Sequence, residues 1–174
     1  MKITIIYDNY QYLPGFETGW GFSCLVQGYK KTLLFDTGGD GRLLLSNIEN
    51  DEMDLIIPGI YTTGRLGSSI KEQSLILKTA RGLVVVTGCA HPGIVNILNT
   101  IRNEFSDEFF LVFGGFHLGG LKSSAVKKIV ADFQNLGVKK AGPCHCSGDQ
   151  TRKIFEKIYK KDFIDIGVGA VIED

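Results

Sequence analysis

Three histidines make up the whole imidazole complement of this 174-residue chain, and all three stand in the same local setting. His91 ends "VVVTGCAH", His117 ends "FLVFGGFH" and His145 ends "KKAGPCH", so each follows a β-like run by a few residues and precedes a helical stretch. In open α/β sheets the C-terminal ends of strands form the crevice where ligands bind, which would bring the three rings to one rim. Imidazole is the commonest metal-binding side chain, and three of them leave the open coordination position that a catalytic zinc requires. One histidine alone would read equally well as a hydrogen-bonded loop residue. The threefold recurrence favours a metal site with His91, His117 and His145 as ligands. A fourth strand end, "LLFDTGG", contributes Asp36, either as the acceptor of an Asx-turn or as a carboxylate orienting a ligand from behind. His117 and Asp36 are thus the candidate catalytic groups, and Thr37, Gly38 and Gly115 in the adjoining turns are candidate ligand contacts.

The segment "GPCHCSG" (142–148) poses a choice between metal site, redox pair and tight turn. Zinc sites built on two cysteines usually separate them by two or more residues, whereas Cys144 and Cys146 are one apart. The familiar redox dithiol is C-x-x-C. His145 is therefore the better ligand, with Cys144, Cys146 and Cys89 read as small, soft packing residues beneath the site.

The elements that must position these groups follow from periodicity. Strands are predicted at 3–7, 22–27 and 32–35 as an antiparallel meander, then a helix over 41–50, an extended piece at 56–61, and strands at 73–78 and 83–86. The rhythm then changes to βα units: a helix from Pro92 to Glu104, a strand at 109–113, a helix over 123–136, a strand at 138–141, a helix over 150–160 and a closing strand at 166–171. Pro92 suits the first helical position, where its missing N–H costs nothing. The order implies an α/β architecture, sheet inside and helices outside, in one domain spanning 1–174.

Nineteen basic residues balance nineteen acidic ones, which leaves no overall field to attract nucleic acid or an anionic membrane surface. No apolar run approaches bilayer length, and residues 1–6 alternate instead of forming a signal-peptide core, so a cytoplasmic protein with reduced thiols is expected. A small, anionic ligand is the expected partner, and homo-oligomerisation is compatible with the composition. Tyr7, Tyr10, Tyr12 and Trp20 read as packing aromatics. Gly167-Val168-Gly169 precedes the last strand instead of joining strand to helix, so it is no dinucleotide fingerprint.

The motifs "LLFDTG", "PGIYTTG", "QSLILKTARGLVVVTGCAHPGIVNIL", "GGFHL" and "GPCHCSG" occur in the order found in the metallo-β-lactamase superfamily, and the chain most resembles its branch of dihydropterin/ribofuranosylaminobenzene 5'-phosphate synthases. The resemblance covers most of the chain. It implies a four-layer αβ/βα sandwich with the metal site at the edge between two sheets, His91 and His145 as metal ligands, His117 as a ligand or substrate contact, and Asp36 behind the metal loop. Ser147 stands where many relatives have threonine. A larger departure is the lack of any H-x-H-x-D-H segment: Asp51-Glu52-Met53-Asp54 leads through Leu55-Ile56-Ile57 directly to "PGIYTTG", so either the sandwich is truncated in its first half or the sequence omits residues that the whole chain contains. Two metals need more ligands than three histidines supply, so zinc or another divalent ion is expected, one at most if the segment is truly absent. The functional expectation is a metal-dependent hydrolase or synthase acting on a phosphorylated or pterin-like small molecule, with degraded activity. The alternative is a non-catalytic ligand-binding or regulatory domain that kept the scaffold, using helix N-termini behind its Gly-rich turns to hold an anion.

Overall fold

A computed structural model describes residues 1–28, 32–36, 59–64 and 66–173. The first sheet holds β1 (Lys2–Asp8), β2 (Phe22–Gln27), β3 (Leu33–Phe35) and the C-terminal β9 (Val171–Glu173), in the order β3-β2-β1-β9 with every pair antiparallel. The second holds β4 (Ile60–Thr62), β5 (Leu75–Thr79), β6 (Gly82–Thr87), β7 (Phe109–Gly115) and β8 (Lys140–Cys144) in sequential order. Pairing is antiparallel from β4 to β6 and parallel from β6 to β8, because the later strands are joined by helical crossovers. Those helices are α1 (Ile94–Glu104), α2 (Ser123–Asn135) and α3 (Asp149–Tyr159). None of the described helices is long and apolar enough to cross a membrane.

Alternation along the strands explains the layers. Ile3, Ile5, Phe22, Cys24 and Val26 of the first sheet pack against Leu75, Leu77, Val84, Val86, Leu111, Phe113 and Cys144 of the second. The opposite face of the second sheet, with Ile76, Val85 and Val112, meets the helices. β6 therefore buries both its faces, which is why it reads as an unbroken Val-Val-Val run. Helix α1 presents Ile94, Ile97, Leu98 and Ile101 at the spacing of a single apolar stripe. Under α2 and α3 sits an aromatic nest: Phe116, Phe133 and Phe155 have ring centroids 5.4–5.7 Å apart, and Tyr159 stacks on Phe155.

The α/β class and the antiparallel meander stand as expected. Four local expectations are corrected. Pro92 is not the first helical residue: α1 starts at Ile94 behind Gly93, and the Pro92 carbonyl instead accepts a hydrogen bond from the Asn96 amide. The strand expected at 138–141 runs from Lys140 to Cys144, passing through Pro143, which is tolerated because β8 is an edge strand. The closing strand is Val171–Glu173; residues 166–170 only graze β1 and the loop after it, through bonds such as Ile5 N–H to Ala170 O and Val168 N–H to Tyr10 O. The 73–78 strand begins at Leu75; just before it the Ser74 N–H goes to the Thr63 side-chain Oγ1 instead of to a main-chain carbonyl. The helix expected over 41–50 and residues 56–58 of the expected 56–61 piece lie outside the described residues, and the rest of that piece leads into β4.

Candidate metal centre

The parallel register sets Thr87 level with Gly114 and Pro143, so β6, β7 and β8 release their chains side by side. Cross-ties hold the three exits together. Buried Thr87 donates through Oγ1 to Gly115 O (2.9 Å), Phe116 N–H donates to Ser147 Oγ (3.0 Å), and Gly119 N–H donates to Cys146 O (3.2 Å). The approach is close enough to require glycine: a Cβ on Gly115 would sit 2.2 Å from Gly88 O, 2.9 Å from Cys146 Sγ and 3.0 Å from His145 Cδ2.

All three histidines come to this rim, though not as a triad. His145 is buried, its Nε2 3.1 Å from Cys89 Sγ and its Nδ1 3.0 Å from Asn9 Oδ1. Cys89 Sγ, Cys146 Sγ and His145 form one group whose donor atoms lie within 4.8 Å of one another. Glu72, Cys89 and His91 form a second, so the Cys89 sulfur is common to both. Within it, Glu72 accepts from the His91 backbone N–H (2.6 Å) and pairs with His91 Nδ1 (2.8 Å). His117 is exposed and falls outside both groups, but its ring lies on that of His91 with centroids 4.3 Å apart. Asp36 Oδ2 would stand 3.4 Å from a Cβ at Gly88, so this carboxylate backs the turn that carries Cys89. Thr37 and Gly38 lie outside the described residues.

Backbone strain gathers at the same place. Asp36, Ala90, His117 and His145 all have φ between 49° and 60°, a left-handed conformation that non-glycine residues adopt at a cost. At His145 it follows directly on β8 and turns the chain into the short 3-10 segment His145–Ser147. This reversal returns Cys146 to the rim while Cys144 stays fully buried between the sheets. Cys144 packs in the core as expected, whereas Cys89 and Cys146 are half-buried at the rim.

The two rim thiols divide their protons unequally. Hydrogen bonding from Cys89 lowers the Cys146 pKa, helped by the His117 backbone N–H; the same thiol pairing raises that of Cys89. Two thiols, two imidazoles and a carboxylate are a donor chemistry that suits zinc, which accepts sulfur, nitrogen and oxygen. Glu72, Asn9 and the two thiols were not anticipated as site groups. Glu72, an acid just before a strand, offered a faint signal; Asn9 offered none, because it reaches His145 from 136 residues away.

Behind the rim, Asp8 is fully buried at the end of β1, and its Oδ1 accepts the Tyr10 N–H (2.8 Å). Its Oδ2 has no hydrogen-bond partner among the described residues, and burial pushes the carboxyl pKa up to about 6. The folded state then binds the proton more tightly than the unfolded chain. This contribution to stability is complete below the ordinary carboxylate pKa and disappears as pH rises through about 6. A shift of about two pKa units corresponds to roughly 3 kcal/mol. In metal-free protein, the stability of Asp8→Asn relative to wild type should rise by up to about that amount between pH 4 and pH 8, read by urea unfolding. A difference that stays flat over this range would show that Asp8 ionises freely.

No family model matches the chain. A curated relative, the 7,8-dihydropterin-6-methyl-4-(beta-D-ribofuranosyl)-aminobenzene-5'-phosphate synthase of Methanocaldococcus jannaschii, is 29% identical over 135 residues, covering 77% of this chain and 39% of that protein. An uncharacterized protein of the same organism is 30% identical over 91 residues, covering 51% of this chain and 33% of its own length. The chain thus spans about two fifths and one third of these curated relatives. A crystal structure of a metal-dependent hydrolase of the β-lactamase superfamily superposes with a TM-score of 0.86 at 24% identity, over 100% of this chain and 99% of that one. The fold is that of the metallo-β-lactamases, and the curated synthase is of the branch whose motifs the chain resembles.

Proposed function

We propose that this chain is a metal-dependent enzyme of the metallo-β-lactamase superfamily, of hydrolase or synthase type, acting on a phosphorylated or pterin-like small molecule. One observation carries the reading: Glu72, Cys89, His91, His145 and Cys146 form two overlapping donor groups that share the Cys89 sulfur, each with its ligand atoms within 4.8 Å of one another. A divalent metal bound there supplies Lewis acidity and a water that ionises near neutral pH.

The protein groups have distinct tasks. Glu72 fixes the His91 ring through Nδ1 and leaves Nε2 as the nitrogen available for ligation. Asn9 does the same for His145. His117, exposed on the rim against His91, is placed to exchange a proton with a bound substrate. Beside the two rings opens a bay of about 500 Å³ whose walls include Ile94, Phe116, Leu118 and Lys128. Apolar walls suit a flat heterocycle, while Lys128 and the imidazoles suit an anionic group. Asp36 steadies the Cys89 turn from behind.

Protein purified without chelator should contain close to one equivalent of divalent metal or more, lose turnover of a phosphorylated substrate on EDTA treatment, and regain it with zinc or manganese. Phosphorylated ligands screened by thermal shift decide against the rival reading of a non-catalytic domain. At a hundred times Kd a ligand adds about 2.7 kcal/mol. A metal-free protein whose ligand stabilisation survives EDTA would establish the binding domain in place of the enzyme.

A further inference from the structure

We infer that the primary metal position is a thiolate site, with Cys89, Cys146 and His145 as its three protein donors and a fourth position open, which makes the resident ion thiophilic. The inference rests on the metal-dependent reading above, and it goes beyond the histidine ligand set that the motifs suggest.

Geometry comes first. Zn–S and Zn–N bonds of about 2.3 and 2.0 Å place donor atoms around a tetrahedral zinc roughly 3.5–4 Å apart. The three donor atoms here lie within 4.8 Å of one another, with Cys89 Sγ already 3.1 Å from His145 Nε2. Three protein donors with one open position is the arrangement of a catalytic zinc.

The surroundings prepare this group in particular. Asn9 Oδ1 stands 3.0 Å from His145 Nδ1 and accepts its proton, so the Nε2 lone pair faces sulfur; the Asn9 amide is itself held by His145 O at 3.4 Å, which fixes which end of the amide faces the ring. The indole of Trp20 lies over the same imidazole, with centroids 4.9 Å apart, and shields a residue only 3% exposed. The missing side chain at Gly115 leaves room for the Cys146 sulfur.

The competing group is less free to bind. Glu72 and His91 are locked to each other by two hydrogen bonds, one through the ring and one through the backbone, and both must loosen before the carboxylate can ligate. Cys89 and Cys146 carry no such commitment to a carboxylate. Magnesium and calcium, which demand oxygen ligands, are poorly served by two sulfurs and an imidazole.

Cobalt(II) substitution tests this without relying on activity. Wild-type protein loaded with one cobalt should show thiolate-to-metal charge-transfer absorption in the near ultraviolet. Cys89→Ser and Cys146→Ser should each remove about half of it and weaken cobalt binding at least about tenfold, while Glu72→Gln retains the band. Should the serine variants fold poorly, thiol titration of wild type gives the same answer: two accessible thiols react in stripped protein and none after one equivalent of zinc, since Cys24 and Cys144 are buried. Cobalt bound with no charge-transfer band, or two thiols still reactive under zinc, overturns the thiolate site and leaves the metal-dependent reading intact. No cobalt or zinc bound at all overturns both.

Discussion

Gly115→Ala should abolish tight metal binding, with a loss of affinity of at least about a hundredfold, while the circular dichroism of the folded protein stays close to wild type. Its φ is not the reason, since Gly115 is absent from the left-handed residues. The reason is space: the new methyl would meet Gly88 O at 2.2 Å, and a backbone carbonyl cannot swing aside as a flexible side chain can. Relief requires the β6 exit to part from the β7 and β8 exits, which carries Cys89 away from Cys146 and His145. Overpacking of this kind costs about 1–3 kcal/mol in stability, yet an ångström of separation among donors is far more damaging to coordination. Gly137→Ala provides the contrast, because Gly137 has φ 76° but no atom within 4 Å of the added carbon. It should lower stability and leave metal content unchanged. Full metal occupancy in Gly115→Ala would show that the strand exits tolerate separation.

Phe133→Ala should destabilise the fold by about 3–5 kcal/mol, the range for removing a large aromatic from a packed interior. Phe133 is fully buried and touches both Phe116 and Phe155 edge-on or tilted, at centroid distances of 5.4 Å. Its loss removes apolar burial and two ring contacts and leaves a cavity between α2, α3 and β7 that neighbouring rings cannot fill without leaving their rotamers. Against a typical total of 5–15 kcal/mol this is a large fraction, and part of the effect should reach the rim, because Phe116 directly precedes His117. Urea unfolding with chelator present measures it free of metal linkage. A loss below about 1.5 kcal/mol would mean that the nest repacks.

What could be read from the sequence depended on whether the information was local. The convergence of His91, His117 and His145 was legible because parallel strands exit on one side and each histidine stands just past such an exit. The antiparallel meander was legible from alternation alone. The return of Cys146 to the rim was not legible, for an identifiable reason. The rule that residues i and i+2 share a face of a strand while the residue between them points away assumes a continuous strand, and β8 ends at Cys144, where His145 takes a left-handed φ of 49°. No simple pattern announces that reversal, since left-handed residues are usually glycine or asparagine. Glu72 and Asn9 act across 19 and 136 residues of chain: the antiparallel pairing of β5 with β6 returns the first to the His91 turn, and the packing of the two sheets brings in the second from the end of β1. The shift of the last strand to Val171–Glu173 has a similar origin: Gly167 and Gly169 let the preceding stretch follow the loop after β1 instead of pairing regularly.

The shared register of β6, β7 and β8 has an evolutionary corollary. Main-chain bonds, indifferent to side-chain identity, set the height of each exit, and the prospective ligands hang from the short turns beyond these exits. Single codon changes could therefore exchange sulfur for nitrogen or oxygen one tooth at a time, retuning ion preference across descendants of this scaffold while the comb that carries the teeth keeps its shape.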